Sequence, residues 1–300
     1  MRFDGSHYAN GINGDFLADR SAEELILKFA GGSCGACCGG GGKFEDAEQR
    51  DIAAAVPAIM HLLTSTLALP PDGTVIDVGA GTGLLLRPLA EALPRGQVVA
   101  SELSPDFRAW MAARVEVEGI ASHVRVVEAT THDPLPAEDP CFSSSSSDGS
   151  SGGSALVALL VDVYHHLEFP RTVCRKLRAA LHPTEGRLVV LDFHRDPSKV
   201  KSKPPEWVWG HLRAGQEVFR EEILSAGWVL ESEPLIPELK ENYCMVFRPA
   251  TPDELRSPGA GWAMAHHVAP PTRAPPEPEP EPAQKPAAAE RPEANQRTES

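Results

Sequence analysis

The sequence predicts an α/β fold built on a mostly parallel sheet of seven strands. Short apolar segments alternate with helical segments over residues 46–250, and this alternation requires parallel neighbouring strands. The last two apolar segments are joined by a polar turn without a helix, which makes the final strand antiparallel. In the segment VIDVGAGTG, residues 75–83, a buried strand runs into a glycine-rich turn that precedes a helix, as ligand-binding α/β folds require.

The predicted strands are apolar runs bounded by turn residues, at 74–78, 98–102, 124–128, 155–161, 187–191, 228–233 and 243–247. Helices are predicted at 84–93, at 170–181 and within 206–227, where Gly227 ends the last one. Pro57 suits the first turn of an earlier helix. Ser104 is a predicted N-cap, and Pro105 takes the first position of a helix that runs to residue 118.

Composition divides the chain into three predicted parts. Residues 1–45 form a weakly structured lead, residues 46–250 form the α/β domain, and residues 251–300 form a disordered, Pro/Glu-rich tail. A Ser/Gly-rich segment at 141–154 is predicted to be a flexible insertion between strands three and four.

The net charge of −14 argues against a protein that binds nucleic acid through phosphate neutralisation. No apolar run approaches the roughly 20 residues that cross a bilayer, and the first residues lack the pattern of a secretion signal or transit peptide. We therefore expect a soluble, cytoplasmic protein without a membrane partner.

Two groups of cysteines differ in context. Cys34, Cys37 and Cys38 lie in a glycine-rich segment with metal-ligand spacing, but no second Cys or His pair follows at matching spacing, which favours a flexible connector. The isolated cysteines are expected to be reduced thiols, two of them buried: Cys141, Cys174 and Cys244.

The glycine spacing discriminates between nucleotides. A dinucleotide fingerprint needs a third glycine where this chain has Leu84 or Leu86, so a nicotinamide cofactor is disfavoured. The chain instead reads acid-x-G-x-G-x-G from Asp77, and Glu102 ends the next apolar strand. Glycines allow a ligand close to the backbone, and a carboxylate on the next strand can accept hydrogen bonds from a ribose diol.

This pattern resembles motif I of the class I S-adenosylmethionine (SAM) dependent methyltransferases. The resemblance covers roughly residues 46–250 and implies a Rossmann-like seven-stranded sheet with helices on both faces. It also implies that the glycine loop carries the methionine part of SAM and that Glu102 binds the ribose hydroxyls. Asp133 is the acid nearest the position that holds the adenine amine in many relatives. The cofactor residues so implied are Asp77, Gly79, Ala80, Gly81, Gly83, Glu102, Leu103 and Asp133.

The string DVYHH, residues 162–166, lies at the end of strand four and resembles a small methyltransferase subgroup with D-x-Y-H-H at that point. Methyl transfer needs alignment and, for a protonated acceptor, a base. His166 and His165 are the candidate bases, each weighed against a structural role. Asp162 is expected to orient the acceptor, and Tyr164 to line the approach of the sulfonium by cation–π contact.

Strand ends also carry a possible set of metal ligands, Asp162, His166, Asp192 and His194. The resembling family's metal-dependent branch uses an Asp-Asn pair that this chain lacks, so no metal is predicted. A lid over the acceptor pocket is predicted at Trp207, Trp209, His211 and Arg213, although at least one tryptophan is expected to serve ordinary helix packing.

Three functions are weighed from these patterns. The first is a SAM-dependent methyltransferase whose acceptor is a small molecule or a protein side chain rather than nucleic acid. The second is a catalytically silent interaction module whose Pro-rich tail binds a protein partner. The third is a nicotinamide-dependent dehydrogenase, which the glycine spacing opposes.

Overall fold

The structure, a computed structural model, describes residues 51–142 and 153–256. The predicted lead with Cys34, Cys37 and Cys38, residues 143–152 of the predicted insertion, and the chain beyond residue 256 lie outside the described residues. The strands of the described part are β1 Thr74–Val78, β2 Gln97–Glu102, β3 Val124–Glu128, β4 Val157–Val161, β5 Arg187–Phe193, β6 Trp228–Ser232 and β7 Asn242–Pro249.

The seven strands form one sheet in the order β3-β2-β1-β4-β5-β7-β6. Strands β1 to β5 pair in parallel, while β7 runs antiparallel to both of its neighbours, β5 and β6. The predicted fold class is therefore confirmed. The strand order reverses between β1 and β4, and open α/β sheets bind their ligands beside such a switch point, at the carboxyl ends of the strands.

The helices are α1 Asp51–His61, α2 Leu86–Ala92, α3 Pro105–Val117, α4 Pro170–Ala180, α5 Pro205–His211, α6 Gln216–Ser225 and α7 Pro252–Arg256. They cover both faces of the sheet. Helices α1, α2 and α3 pack on one face through residues such as Ile59, Leu89 and Met111. Helices α4 and α6 pack on the other face through Leu177 and Phe219.

Several predicted boundaries differ from the structure. Pro57 lies inside α1 rather than in its first turn, so the helix runs through a residue without an N–H. The 206–227 segment divides into α5 and α6, and residues 212–215 separate the two helices. Ser104 caps α3 as predicted, because its Oγ accepts from the Phe107 N–H at 3.4 Å. Gly227 follows α6 with a φ of +91°, a conformation that favours glycine at a helix end.

Two segments that composition predicted to be flexible or disordered, 141–154 and 251–300, begin with residues that belong to described elements. Cys141 is buried in the core, and with Phe142 it belongs to the short 3₁₀ turn Pro140–Phe142. Residues 252–256 form α7, whose Glu254 pairs with Arg248 of β7 at 2.6 Å. Described structure thus enters both segments that the composition assigned to disorder.

The described thiols Cys141, Cys174 and Cys244 are all free and buried, one more than the sequence predicted. Burial raises the pKa of each to about 12. In the described ranges, no helix combines the length and apolar character that a membrane crossing needs.

Candidate functional site

A cleft of about 810 Å³, including open solvent at its mouth, lies at the carboxyl ends of β1, β2 and β4. Its walls combine glycine backbone, apolar side chains and a few polar groups: Val78, Gly79, Gly81, Glu102, Leu103, Phe107, Ala129, Thr130, Thr131, Pro134, Asp162, Val163, His166, Leu167, Glu168 and Val173.

The loop between β1 and α2 presents its backbone to this cleft. Gly79, Gly81 and Gly83 have φ values of +67°, +57° and +81°, which L side chains rarely adopt. A Cβ on Gly79 would also lie 2.7 Å from Cγ2 of Val163 on the opposite wall. The N–H groups of Gly79 and Ala80 donate to the Ser101 carbonyl at 2.7 and 3.1 Å, which ties the loop to β2.

Glu102 is placed at the base of the cleft by the end of β2. Its two carboxylate oxygens accept from the N–H of Gly81 at 2.9 Å and the N–H of Ser104 at 2.8 Å. Burial raises the pKa of Glu102, while these hydrogen bonds and Arg108 act in the opposite direction. Leu103 lines the cleft beside it. A fixed carboxylate next to a glycine loop can accept the hydrogen bonds that the hydroxyls of a ribose diol donate.

Arg114 is a positioning residue that sequence reasoning missed. From helix α3 its guanidinium donates to the carbonyls of Thr82 and Gly83, both at 2.9 Å. Its Nε pairs with Glu118 at 2.5 Å, and the side chains of Arg114 and Glu118 are only 5% and 9% exposed. Two charge-assisted hydrogen bonds thus hold the glycine loop, and the ion pair with Glu118 orients the guanidinium that makes them.

Asp77 is buried beneath the same loop and does not line the cleft. Burial, together with the neighbouring Glu102 carboxylate, raises its pKa from 3.8 to about 7. The folded protein therefore binds a proton at Asp77 between about pH 4 and pH 7, where the unfolded chain has already released it.

This difference predicts a pH dependence of stability. Because the folded state holds the extra proton, the free energy of unfolding falls as pH rises from about 4 to 7, by at most about 4 kcal/mol. Urea denaturation of the wild type and of Asp77→Asn across pH 4.5–8 measures this dependence. We expect the free energy of unfolding of the variant to increase relative to that of the wild type as pH rises. A constant difference between the two proteins would contradict the prediction.

The structure places Asp133, the acid assigned to the adenine amine, outside the cleft wall. Its carboxylate pairs with the Lys176 ammonium of α4 and lies 3.3 Å from the Thr130 hydroxyl, and it does not line the cleft. Thr130 and Thr131 form the cleft wall at this point. The chain turns sharply after β3, since the Thr130 N–H donates to the Asp133 carbonyl at 2.8 Å, and this turn directs the carboxylate outward.

Asp162 lies on the opposite wall, directly after β4. Its φ of +55° is unusual for a residue with a side chain, and such strained residues concentrate at functional sites. The Asn242 amide of β7 donates to its Oδ1 at 2.5 Å. Asn242 was missed by sequence reasoning as a site residue, because 80 residues separate it from Asp162 in the chain.

The residues after Asp162 form a 3₁₀ turn, Tyr164–His166, and the three side chains point to different places. His166 lines the cleft. His165 is fully buried behind it, and its Nδ1 lies 2.7 Å from Oδ1 of Asp192. His166 is therefore the one of the two histidines that faces a ligand in the cleft.

Tyr164, which was predicted to line the approach of the sulfonium, does not line the cleft. The side chain is fully buried, its ring centroid lies 5.0 Å from that of Phe219, and its hydroxyl accepts from the Cys174 thiol at 3.9 Å. The guanidinium of Arg213 lies 5.5 Å from its ring centroid, so the cation–π contact that forms is internal.

The predicted lid residues lie beside the cleft rather than in its wall. Trp207 stacks on His211, with ring centroids 4.3 Å apart, and packs against a small cluster at the end of β5. Arg213 forms a two-bond ion pair with Glu222, at 2.8 and 2.7 Å. Trp209 is exposed, and its ring lies 5.0 Å from the Arg195 guanidinium.

These residues meet the requirements of SAM better than those of a dinucleotide. The glycine loop has no space for a Cβ at Gly79, so only a glycine lets a ligand approach the backbone there. The Glu102 carboxylate can accept hydrogen bonds from a diol, and Leu103 and Phe107 provide an apolar wall for an adenine ring. The position of a third fingerprint glycine is held by Leu86, which is fully buried in the core.

Comparison with known proteins agrees with this geometry. Residues 76–188 match the family described as a methyltransferase domain. Comparison with curated proteins by sequence gives no significant match.

Solved structures share the fold at low sequence identity. A geranyl diphosphate methyltransferase in complex with SAM is 14% identical with a TM-score of 0.51, over 73% of this chain and 96% of that chain. The geranyl diphosphate C-methyltransferase of Streptomyces coelicolor A3(2) is 14% identical with a TM-score of 0.50, over 77% and 100%. The [4+2]-cyclase SpnF is also 14% identical, with a TM-score of 0.51, over 77% and 93%.

Proposed function

We propose that this chain, whose residues 76–188 match a methyltransferase domain, is a class I SAM-dependent methyltransferase that binds SAM in the cleft beside β1 and transfers its methyl group to an acceptor. The observation that carries the proposal is the joining of the glycine loop to Glu102, through the hydrogen bond from the Gly81 N–H to the carboxylate at 2.9 Å. We further propose that residues 46–250 are the unit that carries this activity.

Each wall of the cleft is assigned a part in binding the cofactor. Gly79 and Gly81 give the methionine portion close access to the backbone, and Glu102 accepts hydrogen bonds from the ribose hydroxyls. Leu103 and Phe107 pack against the adenine. SAM supplies an activated methyl group with a good leaving group, so the protein has to align the acceptor with that methyl group and to exclude water.

The acceptor side is assigned to the wall after β4. His166 faces the cleft and is the candidate base, because a neutral imidazole takes a proton near pH 7. Asp162, fixed by the Asn242 amide, orients the acceptor. His165 becomes a positioning residue, since it is buried behind His166 and bonded to Asp192.

A small molecule is the favoured acceptor class. The cleft is lined largely by apolar side chains, including Val163, Leu167 and Val173, and the chain carries a net charge of −14. An acidic protein with an apolar cleft suits a compact, uncharged or cationic acceptor better than a polyanion such as nucleic acid.

Calorimetric titration of SAM and S-adenosylhomocysteine tests the cofactor assignment. We expect Glu102→Gln to weaken binding about 10- to 100-fold, because hydrogen bonds to a charged group contribute about 1.5–3 kcal/mol. Glu128→Gln is the matched control, since Glu128 ends the next strand in register with Glu102 but is exposed. Its affinity should stay within about twofold of the wild type.

The outcomes separate the three functions weighed from the sequence. A folded wild type that binds neither SAM nor S-adenosylhomocysteine would refute the proposal, and saturable NAD(H) binding would revive the dehydrogenase. Binding without methyl transfer from labelled SAM to any acceptor screened would favour the silent interaction module. Where transfer is found, loss of turnover in His166→Gln with retained SAM binding is the expected result for a base.

A further inference from the structure

Three imidazoles converge behind the cleft wall. His165 and His166 belong to the turn after β4, and His211 ends helix α5. One ring nitrogen from each lies within 4.8 Å of those of the other two. The ring centroids of His211 are 5.1 Å from His165 and 4.8 Å from His166. The closest approach joins Nε2 of His165 to Nε2 of His211, at 3.3 Å.

Asp192 fixes the orientation of His165. This fully buried carboxylate accepts from Nδ1–H of His165 at 2.7 Å and from the backbone N–H groups of His165 and Phe193 at 3.0 and 2.7 Å. Because Nδ1 carries the hydrogen, Nε2 presents its lone pair to the other two imidazoles. Metal-binding histidines are oriented in this way by a carboxylate on their second nitrogen.

Aromatic side chains enclose the cluster on its inner side. The Trp207 ring stacks on His211 at 4.3 Å and 22°, and the Phe193 ring lies edge-on to His165 with centroids 6.3 Å apart. Trp207 and Phe193 also contact each other, at 5.5 Å. An apolar enclosure of this kind limits solvent access to a metal and strengthens its bonds to neutral nitrogen ligands.

We propose that His165, His166 and His211 bind one divalent transition-metal ion of the Zn²⁺ class. A tetrahedral zinc with bonds of about 2.0–2.1 Å separates its nitrogen ligands by roughly 3.3 Å, which is the observed distance between the Nε2 atoms of His165 and His211. Imidazole ligands suit zinc, copper and nickel rather than magnesium or calcium. The sequence prediction of no metal considered a different set, in which His194 lies apart and contacts Lys199 at 3.5 Å.

Three protein ligands leave a fourth position open, as in catalytic rather than structural zinc sites. Since His166 also lines the cleft, the fourth position is adjacent to the proposed acceptor wall. With the metal bound, a water or hydroxide in that position, rather than the coordinated His166 imidazole, would take the acceptor's proton. The metal site stands on the imidazole geometry alone and does not require that SAM bind to the cleft.

The test is a zinc titration of the full chain after removal of metal by a chelator, in competition with a chromophoric indicator. We expect one ion per chain, a loss of affinity of at least 100-fold in His211→Gln, and about 10- to 100-fold in Asp192→Asn. His132→Gln is the matched control, because His132 is exposed and stacks on Phe169 outside the cluster. Circular dichroism checks that each variant folds.

A second background isolates the histidine site from the Cys34-x-x-Cys37 segment. The variant Cys34→Ser/Cys37→Ser/Cys38→Ser should keep the same zinc affinity and, with Co²⁺, the same visible absorption of a tetrahedral nitrogen site. Loss of zinc binding in this variant, equal affinity in His211→Gln, or no binding by the wild type would each overturn the proposal. In the last case the two Nε2 atoms form only a hydrogen bond. Zinc binding in a protein that does not bind SAM would refute the proposed function and leave the metal site standing.

Discussion

Gly79→Ala is expected to lower the affinity for S-adenosylhomocysteine about 10- to 100-fold. The added Cβ would lie 2.7 and 2.8 Å from the two methyl carbons of Val163, and the φ of +67° costs a side chain about 1–2 kcal/mol. The loop must move to relieve both, and it then loses the bond from its Gly79 N–H to the Ser101 carbonyl at 2.7 Å. Calorimetric titration measures the loss.

Two further variants sharpen this prediction. Val163→Ala in the Gly79→Ala background removes the clash but not the φ penalty, so it should restore part of the affinity. Gly210→Ala is the control, because a Cβ there meets no heavy atom within 4 Å and the residue lies in a helix. A Gly79→Ala protein that binds as tightly as the wild type would show that the loop does not approach the ligand.

Arg114→Leu is expected to lower the free energy of unfolding by about 2–4 kcal/mol. The substitution removes one of the two arginines that pair with the Glu118 carboxylate, the other being Arg87 at 3.0 Å, and it removes the hydrogen bonds to the carbonyls of Thr82 and Gly83. The expected loss is smaller than that of a buried charge without any partner, because Arg87 still compensates part of the Glu118 charge. Urea denaturation measures the change, and faster amide hydrogen exchange of the glycine loop should accompany it.

The matched control is an ion pair of the same chemistry at the surface. Arg256 pairs with Asp253 at 2.5 Å, but the two side chains are 71% and 91% exposed, so Arg256→Leu should change stability by less than about 0.5 kcal/mol. Adding Glu118→Gln to Arg114→Leu should recover part of the loss, since it removes a buried charge that only the half-exposed Arg87 still pairs with. Equal effects of the two leucine variants would contradict the proposed role of Arg114.

The turn after β4 shows where sequence reasoning stops. A 3₁₀ turn has three residues per turn, so Tyr164, His165 and His166 point in three directions about 120° apart. Adjacency in the sequence therefore placed all three at the cleft. Only the packing of Tyr164 against Phe219 and the bond of His165 to Asp192 show that His166 alone faces the cleft.

What the sequence by itself determined is local or periodic: the alternation of strands and helices, the glycine loop, and the acid at the end of β2. These features depend on backbone conformation and on the rule that parallel strands end at one edge of a sheet. The tertiary structure alone decided which distant side chains support them. Arg114 reaches the loop across 31 residues, His211 reaches His165 across 46, and Asn242 reaches Asp162 across 80. Such contacts depend on how helices and strands pack in three dimensions, and no spacing in one chain encodes them.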